Sequence, residues 1–206
     1  MPEVRFCFEK RGRAAYLSHL DVMRTFQRAF IRAGIRIRHS EGFNPHPKMS
    51  IALPLQLGCE SLCELLDASV LDGPADMIGA LNAVLPEGML VRSAGQPLRP
   101  VREIAWTEWS LRFPDENAAS EAAGILRQPS LSVEKKTKRG TARLDIAPHI
   151  EVLSEEGNEL RMLLRADSPT INTGDLRRAL GGALDAEPAM RSLRIRLLTE
   201  NRESFQ

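Results

Sequence analysis

His19 and His46 are the residues of this 206-residue chain whose surroundings look most able to move a proton. His19 stands two residues before Asp21, with Tyr16 and Ser18 close in sequence, and His46 lies between Pro45 and Pro47 with Lys48 two residues on. An imidazole that titrates near neutrality beside a cation and a hydroxyl can activate the 2′-hydroxyl of RNA without a metal, so each is a candidate general base. Each also has a plainer reading. His19 packs or caps the first turn of a helix, and His46 locks its loop through hydrogen bonds. No second group stands at a spacing from either that demands proton transfer.

Metal and nucleotide chemistry are less well served. Cys59 and Cys63 lie four apart and no second pair of thiolate or imidazole ligands follows at a short spacing, so no metal site is expected. CESLC opens like the CxxxCxxC that holds an iron–sulfur cluster, but Leu66 occupies the place of the third cysteine. GxxxxGK[ST], GxGxxG and GxSxG are all absent, and no cofactor is assigned.

Nucleic-acid contact uses more of the unusual residues. GFNPHPKMS offers Phe43 and His46 for stacking, Asn44 for a base edge and Lys48 for phosphate. Arg24, Arg28 and Arg32 follow at i, i+4 and i+8, a stripe that continues into Arg36 and Arg38, and VEKKTKRGTARLD places Lys135, Lys136, Lys138 and Arg139 on a hairpin tip. Residues 1–50 carry ten Lys/Arg against four Asp/Glu, a balance of +6, whereas residues 51–100 carry two against six, a balance of −4, within a net charge of +1. A basic cluster of this kind points to phosphate, unless it is simply a well-solvated face.

The elements that must position these groups follow from periodicity. VRFCF alternates as a strand. SHLDVMRTFQRAFIRAG is a helix, with Ser18 and Asp21 as its capping pair and Gly34 just past its end. IRIRH, CELLDASVL and GMLVRSAGQPL read as strands, and PADMIGALNAVL as a helix. From Trp106 the pattern starts again: WTEWSLRF a strand, ENAASEAAGILRQ a helix, SLSVEKK and TARLDIA a hairpin, LRMLLRA a strand, TGDLRRALGG a helix and SLRIRLLTE a strand. The expectation is an α+β fold of two tandem ferredoxin-like (β-α-β-β-α-β) units with antiparallel sheets. They span 1–100 and 101–206, parted at the proline-bearing QPLRPVRE, with an extra strand or insertion around residues 147–159 of the second. A hydrophobic content of 43% suffices for a core without any run of membrane-spanning length, and three cysteines are too few for a disulfide framework. The start lacks the layout of a signal peptide, which gives a cytoplasmic expectation.

YLSHLDVMRTFQRAFIRAGIRIRHSEGFNPHPKMSIALPLQLGCESLCELLD closely resembles the opening of the radical-SAM-linked protein family. This is a domain of unknown function that occurs alone or fused behind a cobalamin-binding radical S-adenosylmethionine (radical SAM) protein. The resemblance rests on Tyr16 to Asp21, Arg24, Arg32 to Gly34, Ser40 to Lys48, Pro54, Leu55, Gly58, Glu60, Ser61, Glu64 and Asp67. Within it Ser18, Asp21, Glu41, Gly42, Pro45, Pro47, Gly58 and Glu60 read as the shaping residues of the family motif. KKTKRGTARLDIAPHI is similar to the family's second recurring segment. The resemblance implies an accessory role beside a cobalamin-binding radical SAM protein, recognising its substrate. RNA is the expected substrate class, tRNA or rRNA, held by Arg24, Arg28, Arg32, Asn44, His46, Lys48, Lys136, Lys138 and Arg139. Two alternatives stand beside it: a metal-independent RNA-processing enzyme using His19 or His46, to whose tandem layout in CRISPR endoribonucleases the chain is faintly similar, and a protein–protein adaptor that docks on the radical SAM partner.

Overall fold

Four phenylalanines close the first half of the molecule. The computed structural model describes residues 3–137, 140–184 and 189–205, and the chain divides into two compact units, Met1–Val101 and Arg102–Gln206. In the first, strand β1 (Glu3–Lys10) turns Phe6 and Phe8 to one face, and helix α1 (His19–Arg32) presents Phe26 and Phe30 one turn apart. Phe8 meets Phe26 edge-on with ring centroids 4.7 Å apart, and Phe6 meets Phe30 at 5.3 Å. All four are fully buried, and such ring pairs add about 0.5–1.5 kcal/mol each beyond the area they bury.

Local chemistry sets the ends of α1. The Ser18 hydroxyl accepts from the Asp21 amide at 3.2 Å and donates to the Asp21 carboxylate at 2.6 Å. Leu17 and Val22, on either side of that cap, both join the core. At the far end the Ile35 amide bonds the Phe30 carbonyl and the Gly34 amide bonds that of Ile31, with Gly34 at φ +70°, the left-handed closure that glycine adopts without strain. The remaining elements of this unit are β2 (Arg36–Ile37), β3 (Met49–Ile51), β4 (Cys59–Asp72), α2 (Met77–Asn82) and β5 (Met89–Gly95). β1 lies between β5 and β4, and the C-terminal half of β4 carries β2 and β3 on its other edge, every pairing antiparallel. On the face away from α1, Arg5 makes a bidentate pair with Asp67 at 2.7 Å, and its third nitrogen holds the Arg99 carbonyl at 2.8 Å.

α2 is shorter than the helical pattern of residues 74–85 predicts. Asp76 caps it by accepting from the Gly79 amide, and the Asn82 side chain ends it by bonding both the amide and the carbonyl of Val91 on β5. Asn82 thus serves the sheet edge as a strand residue would.

The second unit orders β11 (Arg191–Leu198), β6 (Trp106–Arg112), β10 (Glu159–Arg165) and β9 (Ile150–Glu156) in an antiparallel sheet. Helix α3 (Glu116–Leu126), capped by Asp115, lays the small residues Ala119, Ala122 and Ala123 inward, and α4 (Thr173–Leu184) buries Leu176 and Leu180. β7 (Ser132–Thr137) and β8 (Gly140–Asp145) pair only with each other among the described residues. The extra strand or insertion expected around residues 147–159 is present there as strand β9. β9 is an integral strand that returns to β10 through Gly157 at φ +56°, and the hairpin at 132–145 is the part outside the sheet. Among the described residues the fold is a mixed α+β arrangement with four α-helices and mostly antiparallel strand pairing.

Truncating Phe26 removes the ring that touches both Phe8 and Phe30, and Phe26→Ala is expected to lower the stability of the first unit by about 3–5 kcal/mol in urea unfolding, against under about 1 kcal/mol for Arg28→Ala on the exposed face.

Candidate functional site

Only one residue of β4 separates the pairing of β2 from that of β3. Ile37 lies opposite Val70 and Met49 opposite Ala68, which leaves Ser69 between them. The Ser69 carbonyl accepts from the Arg38 amide at 2.8 Å, and the Ser69 amide donates to the Lys48 carbonyl at 2.9 Å. β2 and β3 are therefore one edge strand interrupted by an excursion: residues 39–47 leave the sheet and the chain rejoins it where it left. This is a β-bulge enlarged into a loop. Its neck is closed by the Lys48 amide on the Arg38 carbonyl at 2.7 Å, a bridge between His39 and Pro47, and the Ser40 amide on the His46 carbonyl at 2.8 Å. The Ser40 hydroxyl also accepts from the His46 amide at 2.9 Å, and His39 Nδ1 donates to the Ile37 carbonyl. Pro47 sits on the neck with no amide proton to lose, while the Met49 amide returns to the Pro47 carbonyl in a tight turn that bends the chain onto β4.

Beyond the neck the tip turns through Gly42 at φ +122°, a conformation that L-residues rarely adopt. Glu41 reaches back to Arg38 at 3.3 Å, an exposed pair worth little in stability. Phe43 then stands wholly clear of the chain. Asn44, His46 and Lys48 are exposed as well, and none of their side chains has a hydrogen-bond partner among the described residues. The loop combines a backbone fixed by several bonds with side chains that the fold does not use.

The cationic stripe divides on inspection. Arg24 approaches Asp21 at 3.6 Å, and Arg32 donates to the Val84 carbonyl beyond α2 at 3.4 Å. Arg28 is exposed and makes no such contact. Arg36 pairs with Asp72 at 3.2 Å and Arg38 with Glu41, so the stripe does not continue into β2 as a run of unneutralised charge. The bonds that hold the loop run to β4 rather than to α1.

His19 and His46 lie at opposite ends of the unit. His19 follows the 3-10 turn Gly12–Tyr16, which is tied to the start of β4: the Ala15 carbonyl accepts both the Gly58 amide and Lys10 Nζ at 3.0 Å, and Glu60 accepts the Gly12 amide at 2.6 Å. His46 belongs to a loop rooted at Ser69. Gly58 and Ser69 are eleven residue steps apart along extended strand, roughly 36 Å at strand rise, so the two imidazoles do not share a site. Ser18, Asp21, Gly58 and Glu60 shape this end of the unit, as Glu41, Gly42, Pro45 and Pro47 shape the loop. The Ser18 hydroxyl bond, foremost, holds the Asp21 carboxyl below its usual range.

Cys59 and Cys63 are buried, form no disulfide and lie on one strand, where four residues span about 13 Å, too far to share an ion. Among the described residues no three His, Cys, Asp or Glu side chains gather to hold a metal, and no helix is long and apolar enough to cross a membrane.

In the second unit, Lys135 is an anchor rather than a tip residue. Its Nζ binds Asp175, fully buried at the start of α4, at 3.1 Å and the Thr170 carbonyl at 2.5 Å, which fastens β7 to the helix. Lys136 lies on β7 opposite Thr141. The Lys136 side chain, Lys138 and Arg139 lie outside the described residues. The sequence reading named Ser40 only as part of the family motif, without its clamping role, and it missed Ser69 and an alternating chain across the sheet: Arg112, Glu159, Arg161, Glu108 and Arg196, joined at 3.1, 2.9, 3.5 and 2.5 Å. Serine at a loop base is a weak signal for the first, while Ser69 acts through its backbone, which no side-chain pattern reports.

Ser40→Ala removes the clamp on the His46 amide, and hydrogen–deuterium exchange should accelerate at residues 41–46 with global stability changed by about 1 kcal/mol or less. The Ser110 hydroxyl, foremost, and then Arg112 and Arg161 hold the Glu159 carboxyl below its usual range. Such a group stabilises the fold above its unfolded pKa of about 4.3 and loses that contribution as pH falls through the lower folded value. The melting temperature is therefore expected to fall more steeply below pH ~5 in the native chain than in Glu159→Gln.

Comparison with known proteins adds the following. No curated protein matches the sequence. Among solved structures, a chain of the crystal structure of a Cbf5-Nop10-Gar1 complex is similar at 11% identity and a TM-score of 0.47, over 94% of this chain and 48% of that one, so this chain spans about half its length. An unknown protein from Galdieria sulphuraria is similar at 13% identity and a TM-score of 0.27, over 93% of this chain and 98% of that one. Neither likeness is strong enough to bear on fold or function. The match that does extend over most of the sequence is to a family model, which covers residues 3–173: the chain belongs to the family described as an uncharacterized protein conserved in bacteria, DUF2344.

Proposed function

We propose that the protein is a non-catalytic substrate-recognition component that works with a cobalamin-binding radical SAM enzyme and binds RNA, tRNA or rRNA, through the loop at 39–47 and the outer side of α1. One observation carries the reading: Phe43, Asn44, His46 and Lys48 project unpartnered from a loop whose backbone is fixed at Ser69. A stacking ring, a base-edge amide, an imidazole and an ammonium on one rigid support match what RNA offers as ligand. Arg28 adds a free cation on the helix. The link to a radical SAM enzyme rests on the resemblance carried by SEGFNPHPK.

The strand orders β5-β1-β4-β2 and β11-β6-β10-β9, each with two helices in connections that skip a strand, support reading both units as ferredoxin-like. In the second the β7–β8 hairpin is then an insertion between its first helix and second strand. A second reading, docking of a protein partner, is favoured by Leu20 and Ile31, which are 62% and 79% exposed on the same outer side of α1 as Arg24 and Arg28.

Titration of RNA against the native chain and an Arg28→Ala/Lys48→Ala variant, at several salt concentrations, tests the proposal. Loss of two phosphate contacts is expected to weaken binding and to make the dependence of log K on log[salt] shallower by about 1.4 for a single strand. An affinity and slope unmoved by the substitutions would refute the assignment of these residues. RNA cleavage that persists in chelator and vanishes in His19→Ala or His46→Ala would replace it with the nuclease alternative.

A further inference from the structure

We infer that the loop at 39–47 takes an unpaired nucleotide, with Phe43 stacked on its base and Asn44 on the base edge. The inference rests on the RNA-binding reading and narrows it to single-stranded substrate.

Among the described residues only Tyr16 and Phe43 are aromatic side chains that stand exposed, and Phe43 alone has no part of its own chain against it, at 109% relative exposure. Its position is held. Gly42 turns the backbone at positive φ just before it, and the Ser40–His46 and Arg38–Lys48 bonds close the loop behind it. A ring fixed this way forfeits little conformational freedom on binding, so most of the contact it makes appears as affinity.

The shape then selects the ligand. The tip stands beyond two bonded rungs, 38/48 and 40/46, so Phe43 is the leading side chain of a narrow projection. In a duplex the base faces are stacked on one another and only edges and phosphates are open to a protein. An unpaired base offers its π-face, and stacking on an aromatic side chain is worth about 1–3 kcal/mol per base. Asn44, adjacent to the ring, carries both a donor and an acceptor for the edge of that base. Lys48 supplies positive charge at the neck. Glu41, the one carboxylate of the tip, faces Arg38, which offsets its repulsion of phosphate. A protein pocket also receives aromatic anchors, but it has less use for an amide, an imidazole and an ammonium exposed beside the ring.

The test uses a short single-stranded RNA carrying 2-aminopurine and the same strand annealed to its complement, against the intact native chain and its Phe43→Leu and Phe43→Trp variants. Phe43 touches nothing in the fold, so both variants should keep native melting. The single strand should bind more tightly than the duplex and its fluorescence should be quenched. Phe43→Trp should retain both effects, and Phe43→Leu should lose roughly 5- to 150-fold in affinity for the single strand, the equivalent of one base stack, with little change for the duplex. Equal affinity for both RNAs, indifferent to Phe43→Leu, overturns this inference and leaves the RNA reading intact. Binding of neither RNA by the native chain overturns both.

Discussion

Ser69 gives both of its backbone groups to one loop. That pair of hydrogen bonds, to the Arg38 amide and the Lys48 carbonyl, lets a segment of the edge strand depart from the sheet without leaving unsatisfied groups behind. The rest of the candidate site follows from it. The neck bonds can stack outward only because the chain leaves and returns at one point, and the tip is solvent-exposed because it is built outward from the sheet edge. The phenylalanine core beneath is needed for this arrangement too. Met49 and Ile51 on β3 pack against that core, which fixes the strand that the loop rejoins.

Charge separated along the sequence is rejoined in space. The basic first quarter and the acidic second quarter meet in part, because β1 and β2 run beside β4: Arg5 with Asp67, Arg36 with Asp72. Arg24 and Arg38 find acids within their own segments, and Lys10 is buried on a carbonyl. The Arg5–Asp67 and Arg36–Asp72 pairs offset only part of the excess of +6 in residues 1–50. Arg28 and Lys48 stand outside that pairing, as do Arg11 and Arg13 near the 3-10 turn.

Much of the scaffold was legible in the residues, for reasons that can be named. α1 combined a capping serine, a 3.6-residue apolar period and a glycine at its end, three local signals that agree. β6, β10 and β11 alternate over enough residues to be unambiguous. α2 read too long, because the tertiary bonds of Asn82 to Val91 end it where the apolar period continues. β9 was obscured because IEVLSEE carries few apolar residues, as an edge strand can. The chemically equipped loop was visible as a set of side chains, yet the opposition of Arg38 and Lys48 across Ser69 is a long-range backbone relation that leaves no mark on residue type. Lys135 likewise read as a hairpin charge, since its partner Asp175 lies forty residues away in the chain.

The register around the loop has one more consequence. Ile37 and Met49 face the core from positions opposite Val70 and Ala68, and one residue between them would satisfy Ser69 in an uninterrupted strand. The inside-outside alternation is thus the same with the loop as without it. Residues 39–47 therefore form an excursion that leaves the facing of the flanking strand residues unchanged, so the side chains at its tip can be replaced without shifting the register of the sheet beneath.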